Sequence, residues 1–362
     1  MKKTLLSLLT LLTFQINAEI TLDQLSAPPG FRIDFFAKDV KNARQLALSK
    51  SGLVFAGSRR AGNVYAFLDT DKDGKADKRW LIAKGLELPS GIAWKDGDLY
   101  VAEVSQILRF PDIDNNLDNP KSEVYLSGLP KDRHHGWKFL RFSPQGDLVF
   151  PIGAPCNTCK ITTDKHARIF SINKKTKALT ELAKGVRNSV GFDFHPDTGE
   201  LWFSDNGSDM MGDDIPADEI NRVTKTGSHF GYPYFHQGNI RDPEFGVDKN
   251  EKDYVHPVLN VGAHVATLGI HFYQGSMFPA SYNKQLFVAE HGSWNRSKKS
   301  GYKIGIITMK GSDIVKYEPF ITGFMQNEKT YGRPVALLEL DDGSLLISDD
   351  HANNIYRVSY EN

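Results

Sequence analysis

The chain has 362 residues, and its 44 Lys and Arg are balanced by 44 Asp and Glu. That balance excludes a protein built to neutralise nucleic acid, which carries a basic excess. The length allows one large β domain or two ordinary ones.

The first residues read as a processing signal. Lys2 and Lys3 precede the apolar run Leu5–Phe14, and Ala18 suits the position before a cut. Residues 1–18 are therefore expected to be a signal peptide and 19–362 a single domain, periplasmic or secreted. The apolar run is about ten residues, against the roughly 20 that a membrane span needs. No later run is longer, so no membrane span is expected.

Phe31–Phe36 reads as a strand. From Leu46 onward one pattern recurs: an apolar strand, a Gly- and often Asp-bearing turn, a second apolar strand and, after a polar break, a third. Copies start at Leu46, Ile92, Leu140, Phe192, Ile270 and Leu337. Their third strands fall at Val64–Phe67, Ile107–Phe110, Ile169–Ile172, Ile220–Val223, Ile304–Met309 and Ile355–Val358. The turns are hairpin signals, and a period of roughly 46–52 residues in the early copies is that of propeller blades. The predicted fold is all-β, a six-bladed β-propeller in which Phe31–Phe36 completes the last blade. The extra length between Asn206 and His264 is expected to form loops on one face, where sites gather.

Five clusters carry chemistry. In blade one, Asp69, Asp71, Asp73 and Asp77 have the spacing of a calcium loop, with Gly74 at the sharp turn. Trp80 stands where an EF-hand has its bidentate Glu, so the reading is a structural calcium loop; the alternative is a solvated acidic turn. Next, His134 and His135 precede the third blade. In an extended segment they point opposite ways, so at most one faces a central site, where histidine is the side chain suited to accept a proton near neutrality. Cys156 and Cys159 follow. In an exported protein a C-x-x-C pair reads first as a local disulfide; its rivals are a redox-active pair or an unusual haem attachment, and no βαβ pattern surrounds it to favour the former.

Arg187 and Asn188 enter the fourth blade, followed by acidic residues from Asp205 to Glu219 that can supply oxygens to a hard cation. Glu290, His291, Trp294 and Arg296, then Tyr331 and Arg333, sit at later blade boundaries. A lone arginine is usually half of a surface ion pair worth little. Several at equivalent blade edges point instead to an anionic ligand over the ring axis.

The ordered series Gly185-Val186-Arg187-Asn188, Ser204-Asp205-Asn206-Gly207, Asp218-Glu219-Ile220-Asn221 and Gly231-Tyr232-Pro233 resembles the soluble pyrroloquinoline-quinone-dependent sugar dehydrogenases. The stretches 286–297 and 332–335 are similar to the sorbosone and aldose sugar dehydrogenase branch. The resemblance spans nearly the whole mature chain and implies a six-bladed propeller carrying pyrroloquinoline quinone and Ca2+. It implies that His135 is the catalytic base, and that Arg187 and Asn188 contact the quinone edge. The carbonyls of Gly207 and Ser208 would hold the calcium that touches the cofactor, while Glu219 and the Phe230 carbonyl would hold a second, structural calcium. Arg333, and Arg296 in a loop of different length, would meet cofactor carboxylates. The implied substrate is a small sugar or aldehyde, oxidised to a lactone or acid, with electrons passed to an external acceptor. The glucose-oxidising branch has Asp before its base, where this chain has His134. Two other readings use the same architecture: a calcium-dependent lactonase or esterase, and a propeller that only binds a sugar or a protein.

Overall fold

Six antiparallel sheets succeed one another along residues 20–361, the part of the chain that the computed structural model describes. The expected signal peptide lies outside these residues. The first blade is Ala43–Leu48, Val54–Ser58, Val64–Leu68 and Lys78–Ala83. Its innermost strand is buried along nearly its whole length, whereas Lys78–Ala83 is largely open to solvent. This gradient follows from the ring, because inner strands are crowded by neighbouring blades on both faces.

The remaining blades repeat the plan. Their innermost strands are Gly91–Lys95, Arg141–Phe142, Phe192–Phe194, Thr267–Phe272 and Pro334–Glu339. Turn chemistry sets the hairpins: between Lys95 and Asp98, Asp96 and Gly97 take φ of 53° and 89°, the mirror-type turn that an Asp-Gly pair favours. The cores lie between blades, as where Phe55 and Val64 meet Ile92, Leu99 and Val101. Near the axis the buried Gln45 accepts the N–H of Ile92 at 3.0 Å and that of Leu140 at 2.8 Å, tying the first three blades together.

The sixth blade has Leu345–Asp349 and Asn354–Tyr360, and its outer strand is Phe31–Ala37, paired so that Phe31 faces Tyr360. The seam is aromatic. The Phe31 ring lies 4.8, 5.0, 4.9 and 5.0 Å from those of Phe278, Tyr282, Phe320 and Tyr360, and edge-on pairs of this kind each add about 0.5–1.5 kcal/mol beyond area burial. The long segment after Asn206 is more than loops. It supplies two strands of blade four, Ala217–Val223 and Leu259–Ala263, and a short strand, Ser228–His229, that joins blade three in parallel. Among the described residues no helix is long and apolar enough to cross a membrane.

Candidate active site

The innermost strands stand side by side around the axis, and the residues that lead into them meet at one end. There Arg44, Arg59, Arg60, His134, His135, Arg187, Asn188, Gly207 and Arg333 line a cavity of about 430 Å³, with Trp137, Asn295 and others. Val190, Leu268, Val335 and Ala336, with Trp137, form a separate apolar cluster where those strands begin.

His135 sits in a four-residue turn closed by the Gly136 N–H on the Arg133 carbonyl at 3.2 Å, and its φ is 50°. The segment is therefore not extended. The expectation that His134 and His135 point apart fails for this reason: their rings are 4.0 Å apart and both line the cavity. Nδ1 of His135 is 3.0 Å from the Ala154 carbonyl. A carbonyl only accepts, so Nδ1 carries the hydrogen and Nε2 keeps its lone pair. Burial, then the charge of Arg187, hold the ring well below the ordinary histidine value. Gly153 makes the fit possible, since a Cβ there would come 2.5 Å from that of His135.

Arg187 is almost fully buried and held by the loop bearing the Cys156–Cys159 disulfide. Nε donates to the Asn157 carbonyl at 2.8 Å, Nη2 to Asn157 Oδ1 at 2.7 Å and to Asp209 Oδ2 at 3.0 Å, and Nη1 to the Asn206 carbonyl at 3.1 Å. Four of its five N–H donors are thus committed and one Nη1 hydrogen is left. Asp205 accepts the backbone N–H groups of Arg187 and Asn188 at 2.7 and 2.6 Å, which fixes both residues at the cavity wall.

The five arginines differ in their partners. Arg44 pairs with Asp350 at 2.9 Å and Arg187 with Asp209 at 3.0 Å. The Arg333 guanidinium donates to carbonyls, of His291 at 3.0 Å and of Gly292. The Arg59 guanidinium lies 4.0 Å over the Trp137 ring, and burial, then the charge of Arg44, push it down to about 10. Among the described residues no carboxylate forms an ion pair with the guanidinium of Arg59, Arg60 or Arg333, although the Arg333 backbone N–H donates to Asp349 at 3.0 Å and the Asp350 charge reaches Arg59. Trp137 Nε1 and both amide atoms of Asn295 are buried without a hydrogen-bond partner, and buried polar atoms in this state call for a ligand or water. Sequence reasoning missed Arg44, Arg59 and Arg60, and it placed Trp137 and Asn295 in clusters without giving either a role of its own. The signal was there for Arg44, which opens the inner strand of blade one much as Arg333 precedes that of blade six.

A second pocket of about 20 Å³ adjoins the first and is lined by Asp205, Gly207, Ser208, Glu219, Phe230 and His236, among others. It has room for one ion or water. Burial, then mutual repulsion, push Glu219 up to about 8, while burial pushes Asp205 up to about 7 against the N–H groups that it accepts. A divalent cation would relieve both, so the donor set fits one.

Two proposed sites lie elsewhere. Arg296 does not line the cavity; it donates to the Lys298 carbonyl and faces the exposed Asp214 at 3.4 Å. In the blade-one loop Asp69, Asp71 and Asp77 bring carboxylate oxygens within 4.8 Å of one another, while Asp73 stays outside and accepts the Lys75 N–H. Asp69 Oδ1 is buried and unpartnered.

Comparison with known proteins follows this geometry. A family model described as "Domain of unknown function (DUF7133)" matches residues 18–356. A protein of Borreliella burgdorferi named "Uncharacterized protein" is 39% identical over 364 residues, covering 96% of this chain and 93% of that one. Among solved structures, the holo pyranose dehydrogenase PQQ domain of Coprinopsis cinerea superposes with a TM-score of 0.79 at 16% identity, over 92% of this chain and 97% of that one. The calcium structure of Trichoderma reesei Carbohydrate-Active Enzymes Family AA12 gives 0.83 at 17%, over 96% and 100%. The PQQ-bound aldose sugar dehydrogenase of Streptomyces coelicolor gives 0.64 at 17%, over 93% and 100%. These likenesses show the fold to be a six-bladed propeller.

Proposed function

The chain belongs to the family of that match, DUF7133, and from this premise we propose that it is an oxidoreductase of the sorbosone and aldose sugar dehydrogenase type. It takes pyrroloquinoline quinone and calcium, oxidises an aldose or sugar aldehyde, and passes the electrons to an external acceptor. One observation carries the reading. Three guanidiniums without an ion-pair partner among the described residues and a buried neutral histidine face one cavity, and a planar tricarboxylate is the complement of such a wall. The structural neighbours, a pyranose dehydrogenase PQQ domain, a calcium form of Carbohydrate-Active Enzymes Family AA12 and a PQQ-bound aldose sugar dehydrogenase, support the same reading.

When bound, the quinone supplies a two-electron acceptor and calcium a Lewis acid. The chain supplies the rest. Arg59, Arg60 and Arg333 would balance the carboxylates of the cofactor, Asn188 and the remaining Nη1 hydrogen of Arg187 would orient it, and Gly207 and Ser208 would hold the metal. Glu219 and Phe230 frame the adjoining small pocket, where a structural cation would offset two carboxylates. His135 accepts the sugar hydroxyl proton at Nε2, and Ala154 keeps that nitrogen unprotonated beforehand. A lactone or acid leaves. The loop of Asp69, Asp71 and Asp77 would hold a separate calcium of structural role, and the disulfide suits an exported protein.

The test is reconstitution with quinone and calcium, followed by quinone absorbance as aldoses and aldehydes are added. Bleaching of the oxidised quinone by an aldose supports the reading. Tight quinone binding with no reduction across the whole panel refutes it, and lactone hydrolysis without quinone moves the protein to the lactonase class.

A further inference from the structure

Lys138 is 2% exposed, although lysine is among the residues least often buried whole. Its Nζ donates to the Val104 carbonyl at 2.6 Å and to the Gly136 carbonyl at 2.9 Å. Among the described residues no carboxylate is paired with it, and Glu87, whose charge reaches it, lies 3.6 Å from Arg133 instead. Burial pushes the ammonium down to about 7. An uncompensated cation of this kind works against folding, and a methionine would fill the same space without that cost. The two carbonyls show what the cation does. Val104 belongs to blade two, whereas Gly136 ends the turn that carries His135. That turn is tight: His135 has a φ of 50°, uncommon for a residue other than glycine, and Gly136 is needed because a Cβ there would come 2.2 Å from the Asp132 carbonyl oxygen.

We propose that Lys138 is a positioning residue for His135. By joining the Gly136 carbonyl to blade two, its ammonium holds the turn in the one shape that keeps Nδ1 on Ala154 and leaves Nε2 free at the cavity. The kinetic consequence rests on the dehydrogenase reading; the placement of the ring does not.

The variant Lys138→Met keeps the stem and removes the donors. Two readouts are taken on the full chain: histidine ¹⁵N NMR, with the His135 signals identified by their loss in His135→Ala, and steady-state reduction of the reconstituted enzyme. In the wild type His135 is expected as the neutral Nδ1–H tautomer. In Lys138→Met a mixture of tautomers is expected, with kcat down about 10–100-fold and KM and quinone affinity nearly unchanged. Lys138→Arg, which can reach one carbonyl, should recover part of both. A folded Lys138→Met protein with wild-type His135 signals overturns the proposal, whatever its turnover. If Lys138→Met does not fold, Lys138→Gln, which keeps one amide donor, is read in the same way. Altered His135 signals in a protein whose wild type never reduces quinone would sink the dehydrogenase reading and leave the positioning role standing.

Discussion

With its Nδ1 hydrogen committed to Ala154, His135 has a single lone pair left, and burial, then the charge of Arg187, disfavours a proton there. Activity should therefore persist as pH falls through the ordinary histidine range, because the base stays neutral. His135→Ala should lose about 10²–10⁴-fold in single-turnover reduction and keep its quinone affinity. Arg333→Ala should do the reverse, weakening quinone binding by about 1.5–3 kcal/mol through loss of a charged donor. A quinone titration and a rapid-mixing measurement on each variant separate the two effects. If His134→Ala abolished turnover while His135→Ala left it intact, the base would be the other ring of the pair. At this scale the sequence showed Arg187 and Arg333 because each stands in a motif beside a blade boundary. It did not show Arg59, whose role depends on Trp137 from blade three passing beneath it, a contact between residues 78 positions apart.

A turn between the third and fourth strands of blade one carries the acidic loop. Its shape is preset: the Thr70 N–H and hydroxyl both bind Asp77, at 2.5 and 2.7 Å, and the Gly74 N–H binds Asp69 at 2.8 Å. Gly74 has φ of 88°, and a Cβ there would meet Arg357 of blade six at 2.8 Å. A cation in the loop would therefore brace the junction of the first and last blades. Chelator should lower the melting temperature, and Asp71→Ala should remove part of that response. A variant that keeps the whole response places the source of the effect elsewhere. The spacing made this element legible, Gly included; that Asp73 faces outward was not, since spacing alone does not say which way each carboxylate turns.

Across the whole ring, an ionic chain joins four blades at the other end of the inner strands. Arg141 lies 2.5 Å from Asp193, and His271 lies 3.1 Å from Asp193 and 3.3 Å from Glu339. Burial opposes the charge on His271, but Asp193 and Glu339 together raise its pKa; burial likewise opposes both carboxylates, which their cationic partners still hold below the usual range. The histidine's contribution is complete below about pH 6.5 and is lost as pH rises through its raised value. Those of the acids are present above about pH 4 and are lost as pH falls through their depressed values. The chain is strongest between these limits, so His271→Gln should lower the melting temperature more at pH 6 than at pH 9. An equal loss at both would show that only packing was removed. Six blades could be counted in the sequence because every blade repeats one local pattern of strands and turns. This ionic chain could not, because its members lie in four different copies of the repeat and no spacing relates them.

The seam of blade six has one more consequence. The Glu361 N–H donates to the Gly30 carbonyl at 2.9 Å, so the two ends of the ring touch. In connectivity the molecule is a circle opened at one point, and nothing in the blade plan requires the opening to fall there. A linker from Glu361 to Ile20, which keeps the buried Ile20 and the Ser26–Thr322 bridge, with new termini cut in an exposed hairpin such as that at Lys174–Lys177, would carry the break into blade three. During synthesis, by contrast, the natural order leaves the sixth sheet without its last partner until the final strand emerges. Until then the chain is an open arc with an unpaired edge at each end, and the step that closes it is the one that brings Phe31 against Tyr360.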